Sequence, residues 1–233
     1  KEEVVSIFES AAQISLECGD MVNAGNAMSC HIITYDQDLR RLDQICKTYE
    51  AENSRLVDVI TLRAFHITKR YIERLRQHVH DQQLLFHIPD MPENVLWLEQ
   101  EMISEEKANW WYLYTCKLEV AFLYNRYSDA LALAEQSVRM KREILLTIQQ
   151  KHCFYYALAL MRMYSENSRL WKSKHRKTLR ELMNRMRIWT NASAKTLSKY
   201  RIMQAEYMRL NRKYEEAAKL YDQAIHEARQ AGD

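Results

Sequence analysis

The chain has 233 residues, with only 3 Gly and 2 Pro, and a formal net charge of +3 at pH 7. Sheets and tight hairpins use Gly and Pro in their turns, so this composition argues against a β-rich fold and favours helices joined by short connections. Hydrophobic residues make up 47% of the chain and charged residues 28%, which excludes a disordered protein. No apolar run is long enough for a membrane span.

Cysteine usage and the first residues suggest the cellular compartment. The five cysteines are widely spaced, odd in number and form no CxxC pair, which argues against a disulfide framework. The first residues already have helical periodicity and lack the apolar core of a signal peptide. We therefore expect a cytoplasmic protein, of which this sequence is a piece.

Helical periodicity runs through residues 1–78. Gly19 is expected to end the first helix, because glycine tolerates the left-handed conformation at a helix C-terminus, and Asp20 to cap the second. The helices predicted here are 2–18, 20–35, 38–52 and 54–78.

Residues 79–103 interrupt the periodicity. Both prolines, Pro89 and Pro92, lie here, so we expect an irregular connection followed by a short helix at 92–103. Periodicity resumes over 104–233, in helices predicted at 104–124, 128–146, 147–165, 168–190, 193–210 and 213–230. The predicted organisation is N-terminal repeats over 1–78, this connection, and C-terminal repeats over 104–233, in one continuous solenoid.

Two stretches, 125–141 and 211–233, echo each other at an offset of 87 residues, and residues 19–28 give a weaker echo through Asp20, Ala24 and Ala27. This offset fits two helix pairs of about 43 residues, longer than the tetratricopeptide unit of about 34. It predicts an all-α, right-handed, tetratricopeptide-like α-solenoid of antiparallel helix pairs. The aligned positions are Tyr127, Ala130, Ala134 and Val138 with Tyr214, Ala217, Tyr221 and Ile225.

Four segments, taken in order, resemble one protein family. They are SAAQISLECGDMVNAGNAM at 10–28, WWYLYTCKLEVAFLYNRYSDALALAE at 110–135, HCFYYALALMRMY at 152–164, and the closing 200–233. Together they are similar to the helical region of large bacterial signalling proteins, which carry a serine/threonine-kinase-like domain, a signal-transducing AAA-type ATPase and often a sensor histidine kinase. Asn23 replaces a Tyr of that family. The resemblance implies a regulatory or sensing arm beside an ATPase.

No catalytic motif is present in the sequence. It contains no GxxxxGK[ST] phosphate loop, GxSxG, HExxH or kinase signature, so we expect no enzyme activity and no cofactor in this chain. His78, His80, Asp81 and His87 cluster near the long connection, but their spacing matches no closed metal site, and a solvated loop is the preferred interpretation. Buried packing is expected for the pairs Cys30–His31 and His152–Cys153.

The stretch 169–187 is strongly basic, with eight Lys/Arg, one acid and a net charge of +7, so the rest of the chain carries −4. The preferred interpretation is a solvated helix face above the inward Trp171, Leu179, Leu182, Met186 and Trp189. The second is a docking surface for a protein domain in cis or for another acidic partner, and nucleic acid or an anionic membrane surface are further alternatives. The docking residues predicted are Lys172, Lys174, Arg176, Lys177 and Arg180.

Aromatic residues crowd two helices that should be neighbours, and adjacent positions on a helix point about 100° apart. Some must therefore line the core and others an inner groove for a peptide or small effector. The predicted function is a non-catalytic regulatory helical repeat that binds a partner domain, peptide or effector; the alternative is a stand-alone tetratricopeptide-type scaffold. The groove residues predicted are Trp111, Tyr114, Lys117, Tyr156 and Arg162, and for each one taken singly a place in the core is the preferred alternative.

Overall fold

The computed structural model describes residues 2–35, 38–52, 59–76, 107–138, 145–164, 167–192 and 194–231. Every regular element in these ranges is a helix, which confirms the all-α expectation for them, and none of these helices is long and apolar enough to cross a membrane. The helices are α1 (Glu2–Glu17), α2 (Met21–Thr34), α3 (Leu39–Glu52), α4 (Val59–Arg76), α5 (Lys107–Leu123), α6 (Tyr127–Val138), α7 (Leu146–Tyr164), α8 (Arg169–Trp189), α9 (Ala194–Leu210) and α10 (Tyr214–Gln230), with a 3-10 turn at Thr190–Ala192.

The helix bounds follow the predicted ones closely in the described residues, because periodicity marks the helices and capping residues mark several of their ends. Asp20 accepts from the backbone of Asn23, and Ser168 accepts from the backbone of Trp171. One difference is that α7 begins at Leu146, where the preceding helix was predicted to end. The predicted connection and short helix of 79–103, with His78, His80, Asp81 and His87, lie outside the described residues.

The chain forms two compact units. Unit 1 comprises Lys1–Val120 and Met140–Ile148, and unit 2 comprises Ala121–Arg139 and Gln149–Asp233. Most of α5 thus belongs with the N-terminal helices.

Unit 1 is organised around α2, which packs against α1, α3 and α4. Met28 and Ile32 of α2 and Ile72 of α4 are almost fully buried. The α2–α4 approach is close at Gly25, where a Cβ atom would lie 2.5 Å from the Oγ1 atom of the buried Thr61. Glycine at this position allows the two helices to meet.

In unit 2, α9 packs against α10 along its length and also against α8. Leu160 and Met161 of α7, Met186 of α8 and Met203 of α9 are fully buried. Three of these four are methionines, whose unbranched side chains fill irregular spaces between helices.

Three helix corners share one backbone geometry. Gly19, Asn125 and Arg212 have φ angles of 75°, 60° and 60° and end α1, α5 and α9. At each corner, the N–H of the left-handed residue donates to the carbonyl three residues back, and the next N–H donates to the carbonyl five residues before it. This is the Schellman arrangement, which satisfies the free carbonyls at a helix end.

Each corner is followed by a buried alanine five residues after the left-handed residue: Ala24, Ala130 or Ala217. The alanine N–H makes the first regular hydrogen bond of the new helix. In the α1–α2 and α9–α10 pairs, its small side chain allows the new helix to pack closely on the old one. The two corners that the sequence aligns at an offset of 87 residues therefore have the same geometry, and the weaker echo at residues 19–28 is a third example.

Candidate protein-binding surface

Helix α8 buries one stripe of mostly apolar residues and exposes most of its basic residues. His175, Leu179, Leu182 and Met186 are buried, at the three- and four-residue spacing of one helix face. Of the predicted inward residues, Trp171 and Trp189 are only half-buried.

The outward side of α8 carries the predicted docking residues. Lys174, Arg176, Lys177 and Arg180 are exposed, whereas Lys172 is half-buried, with its Nζ atom 5.8 Å from the ring centroid of Tyr164. Two further exposed arginines, Arg169 and Arg187, extend this surface. The basic face of α8 is defined here as Arg169, Lys174, Arg176, Lys177, Arg180 and Arg187.

Four arginines of the basic face lie along one line. Arg169, Arg176, Arg180 and Arg187 follow each other at spacings of seven, four and seven residues. At 100° and 1.5 Å per residue, this spacing keeps them within about 20° of a common line roughly 27 Å long. The docking residues predicted from the sequence omit Arg169 and Arg187, the two ends of this line. Their seven-residue spacing from Arg176 and Arg180 is visible in the sequence.

Acidic side chains neutralise little of the positive charge of the basic face. Its one ion pair in the described part of the chain joins Lys177 to Glu181 at 3.9 Å between two exposed side chains, a geometry that contributes little in water. Within the same residues, Arg176 and Arg180 have no acidic partner. The surface therefore presents positive charge available to an anionic ligand.

Contacts on the buried side of α8 fix its orientation. The Nε2 atom of His175 lies 3.0 Å from Oε1 of Glu135 in α6, and its ring stacks on Trp171 at 4.0 Å. Desolvation lowers the pKa of His175, and Glu135 opposes this shift while Lys174 adds to it. The Sγ atom of Cys153 donates to the carbonyl of Leu182 at 3.3 Å. These contacts hold the basic face outward.

In unit 1, the groove prediction fails for one of three residues. Tyr114 is 7% exposed and stacks on Trp110 at 5.0 Å, so it belongs to the interior. Trp111 and Lys117 are half-buried, and the Lys117 Nζ atom lies 5.9 Å from the centroid of the Tyr114 ring. Adjacent aromatics were expected to divide between core and groove, but the sequence does not say which faces inward.

In unit 2, Tyr156 is also interior rather than part of a groove. It is 6% exposed and meets the ring of His152 edge-on at 5.8 Å. Burial, with a smaller effect from Glu135, raises the pKa of Tyr156 to about 12. Arg162 is half-buried, 5.9 Å from the centroid of the Tyr127 ring and 3.6 Å from Glu206. Its contacts are therefore intramolecular.

Glu206, which the sequence did not single out, is the centre of a polar cluster. It accepts one hydrogen bond from the Tyr221 hydroxyl at 2.6 Å and two from Arg209 at 2.9 and 2.7 Å. Burial, together with this bond to Glu206, raises the pKa of Tyr221 to about 12. Both carboxylate oxygens are occupied by the protein's own donors, so the cluster joins α9 to α10 rather than forming an open site.

A serine and a histidine meet in the interior of unit 2. The Ser137 Oγ atom lies 2.6 Å from His152 Nε2 and donates to the carbonyl of Ala134 at 2.8 Å. Ser137 is 0% and His152 3% exposed, and burial lowers the pKa of His152 to about 3. A substrate cannot reach this pair, which packs the core.

The predictions of buried packing hold for three of four residues. His31, His152 and Cys153 are buried, whereas Cys30 is half-buried. Among the described residues, no three His, Cys, Asp or Glu side chains are placed to hold a metal ion.

Comparison with known protein families, with curated proteins and with solved structures finds no match to this chain.

Proposed function

We propose that this chain is a non-catalytic helical-repeat region that binds an acidic helical segment of a partner protein or neighbouring domain through the basic face of α8. The observation that carries the proposal is the line of four arginines, of which the central two, Arg176 and Arg180, have no acidic partner in the described residues. Beneath this surface, His175 and Leu182 hold α8 through their contacts with Glu135 and Cys153.

The chemistry of arginine favours a carboxylate ligand. A guanidinium can donate two parallel hydrogen bonds to one carboxylate, which gives both strength and orientation. Spacings of seven, four and seven residues are those of one helix face, so a partner helix with acids at the same spacings would match all four arginines. An exposed positive face also accelerates association with an acidic partner.

The repeat architecture is part of the same proposal. The three equivalent corners and the packing of α2 on both α3 and α4 support a right-handed, tetratricopeptide-like solenoid. The resemblance to the helical region of bacterial kinase and ATPase signalling proteins supports a regulatory role, in which binding at α8 would couple this region to another domain.

The test is a pair of charge reversals, Arg176→Glu with Arg180→Glu. The probe is an amphipathic peptide helix with glutamates spaced seven, four and seven residues apart, and binding is followed by fluorescence anisotropy near physiological salt. Losing two close charge pairs should weaken binding by about tenfold or more. The matched control, Arg40→Glu with Arg41→Glu in α3, changes the net charge equally and should leave binding unchanged.

The same titration distinguishes the alternative of nucleic-acid binding. A single-stranded oligonucleotide of equal charge serves as the second probe, over a range of salt concentrations. Tighter binding of the oligonucleotide, with an affinity that falls steeply as salt rises, would replace the acidic-protein proposal by a nucleic-acid one. Equal weakening by the α3 control would show that net charge alone is responsible.

A further inference from the structure

A second line of exposed side chains runs along α8 beside the line of four arginines, called the arginine line from here on. Each member of the second line follows one of these arginines by one residue: Leu170, Lys177, Glu181 and Ile188. At 100° per residue, the four lie within about 20° of a common line that is rotated by about 100° from the arginine line. Leu170 is 85% and Ile188 56% exposed. The second line therefore has two apolar ends, roughly 27 Å apart, and a charged middle.

The strip of α8 between the two lines carries short polar side chains. Counted at 100° per residue from Arg169, Ser173 and Asn184 lie at about 40° and about 60°, between the arginine line and the second line. Both are exposed. The Oδ1 atom of Asn184 accepts from Nη2 and Nε of Arg187, at 2.9 and 3.3 Å, and these bonds hold the arginine beside the strip. A helix laid over the strip would contact both lines at once.

The charged middle of the second line gives it a direction. Lys177 lies nearer the N-terminus of α8 and Glu181 nearer its C-terminus, with their charged groups 3.9 Å apart. Because an ion pair between two exposed side chains contributes little in water, each charge is available to a partner. A partner helix that presents an acid to Lys177 and a base to Glu181 matches the second line in one direction along α8 and not in the reverse.

We propose that the arginine line and the second line together bind one amphipathic acidic helix of a partner protein, which lies antiparallel to α8. This inference rests on the proposed function and adds the second line as the feature that selects the partner. The partner helix places acids against the arginines and apolar side chains against Leu170 and Ile188. Antiparallel packing sets opposite dipole ends of the two helices side by side. In that direction, each partner residue facing the second line directly follows one of the acids in its sequence.

The same features favour a protein helix over a membrane surface or a nucleic acid. A helix that lies in a membrane interface needs a broad apolar face. The apolar stripe of α8 is instead buried in unit 2, and its exposed Leu170 and Ile188 stand near opposite ends of the helix. Glu181, between them, would repel lipid or nucleic-acid phosphates. A partner helix can place a base at that point and apolar side chains at both ends.

Two peptide helices of equal composition test this inference with the full chain. Both carry four glutamates at spacings of seven, four and seven residues. In the first peptide, leucine, lysine, glutamate and leucine, in this order, directly follow the four glutamates. The second peptide has its two leucines moved to the opposite face. By fluorescence anisotropy near physiological salt, the first peptide should bind about tenfold more tightly, because burial of two apolar side chains adds to the same charge pairs.

Substitutions in the chain assign this preference to the second line. Leu170→Ser with Ile188→Ser should remove it, and both side chains are exposed, so the core stays intact. As a control, Ile7→Ser with Ile14→Ser replaces two exposed apolar residues of α1 and should keep the preference. Exchanging the lysine with the glutamate that follows the third acid should weaken binding of the first peptide about threefold or more, since like charges then meet on the second line.

The outcomes separate this inference from the proposed function. Equal binding of the two peptides would overturn the inference and leave the proposed function intact, whereas no binding of either peptide would overturn both. A preference that survives Leu170→Ser with Ile188→Ser would also overturn the inference. Vesicles of phosphatidylcholine and phosphatidylserine in equal amounts are the last probe. We expect no binding that depends on these two residues, and such binding would assign them to a membrane surface instead.

Discussion

Among single residues, Gly25 has a tight steric requirement in unit 1. Its position in α2 leaves no room for a Cβ atom beside Oγ1 of Thr61, which is completely buried and stiff because it is β-branched. The sequence showed a glycine within a helical pattern, but which neighbouring side chain excludes a Cβ atom depends on tertiary packing and could not be read from it.

Gly25→Ala should destabilise the protein. Overpacking typically lowers the free energy of unfolding by about 1–3 kcal/mol, and the higher helix propensity of alanine relative to glycine offsets about 1 kcal/mol of this loss. We therefore expect a net loss of roughly 1 kcal/mol in the free energy of unfolding, measured by urea denaturation. Adding Thr61→Ala removes the clashing atom, so the double variant should lose less than the sum of the two single losses; simple additivity would contradict a direct clash.

His152 should make stability depend on pH. Burial lowers its pKa from 6.5 to about 3, so the unfolded chain binds a proton more readily than the folded one. The stability contributed by neutral His152 is complete above about pH 6.5 and is lost progressively as the pH falls towards 3, at about 1.4 kcal/mol per pH unit. At pH 5 the loss is about 2 kcal/mol.

Replacing the histidine tests this linkage. His152→Gln keeps a group that can hydrogen-bond Ser137 but does not titrate, so its unfolding free energy should fall less steeply between pH 6.5 and 5 than that of the wild type. Thermal unfolding across this range measures the difference. Parallel curves for the two proteins would show that His152 is not the group responsible.

At the scale of helices, the outward face of α8 was predictable and the groove was not. Eight basic residues around an apolar stripe leave one orientation in which the charges stay hydrated, so Arg176 and Arg180 had to face outward. Tyr114 and Tyr156 sit in aromatic-rich helices with weak segregation of apolar and polar faces. Neighbouring helices decide which ring is buried there, and the sequence does not specify those neighbours.

The corners between helices offer substitutions of opposite sign. Gly19→Ala forces a Cβ atom into the left-handed region with no other atom within 4 Å of it, so it should cost about 1 kcal/mol through backbone strain alone. Arg212→Gly removes the same strain and should gain roughly 0.5–1 kcal/mol. Chemical denaturation measures both, with Arg212→Ala as the control that keeps the strain. A loss of stability in Arg212→Gly would contradict the argument.

At the scale of the whole molecule, the all-α fold followed from composition and periodicity, since helices satisfy their own backbone hydrogen bonds and need few turn residues. The division into units could not be foreseen in the same way. Most of α5 belongs to unit 1, although its sequence continues the periodicity of the C-terminal helices. Such a division reflects contacts between residues distant in the chain, to which local patterns are insensitive.

The five cysteines should report on each unit separately. Cys18 is exposed, whereas Cys46, Cys116 and Cys153 are buried, and burial raises the pKa of Cys153 to about 12. With a thiol reagent at neutral pH, Cys18 should react at least about a hundredfold faster than the three buried thiols. The buried thiols react only after local unfolding exposes them.

Mass spectrometry of the labelled peptides assigns each rate. Cys18→Ser should remove the fast phase, and fast labelling of Cys46, Cys116 or Cys153 would contradict the burial of these thiols. Cys153 is the one cysteine of unit 2, so its rate measures the opening of that unit alone.

The main-chain nature of the corners has an evolutionary consequence. Each corner can be followed over six residues that begin at Gly19, Asn125 or Arg212. All three corners make the same hydrogen bonds, yet the one residue that they share is the alanine at the sixth position. Amide and carbonyl groups are supplied by almost any residue, so selection on such a corner acts on little more than one small side chain. Duplicated helix pairs built in this way can drift apart until their common ancestry is unreadable, while their shape persists.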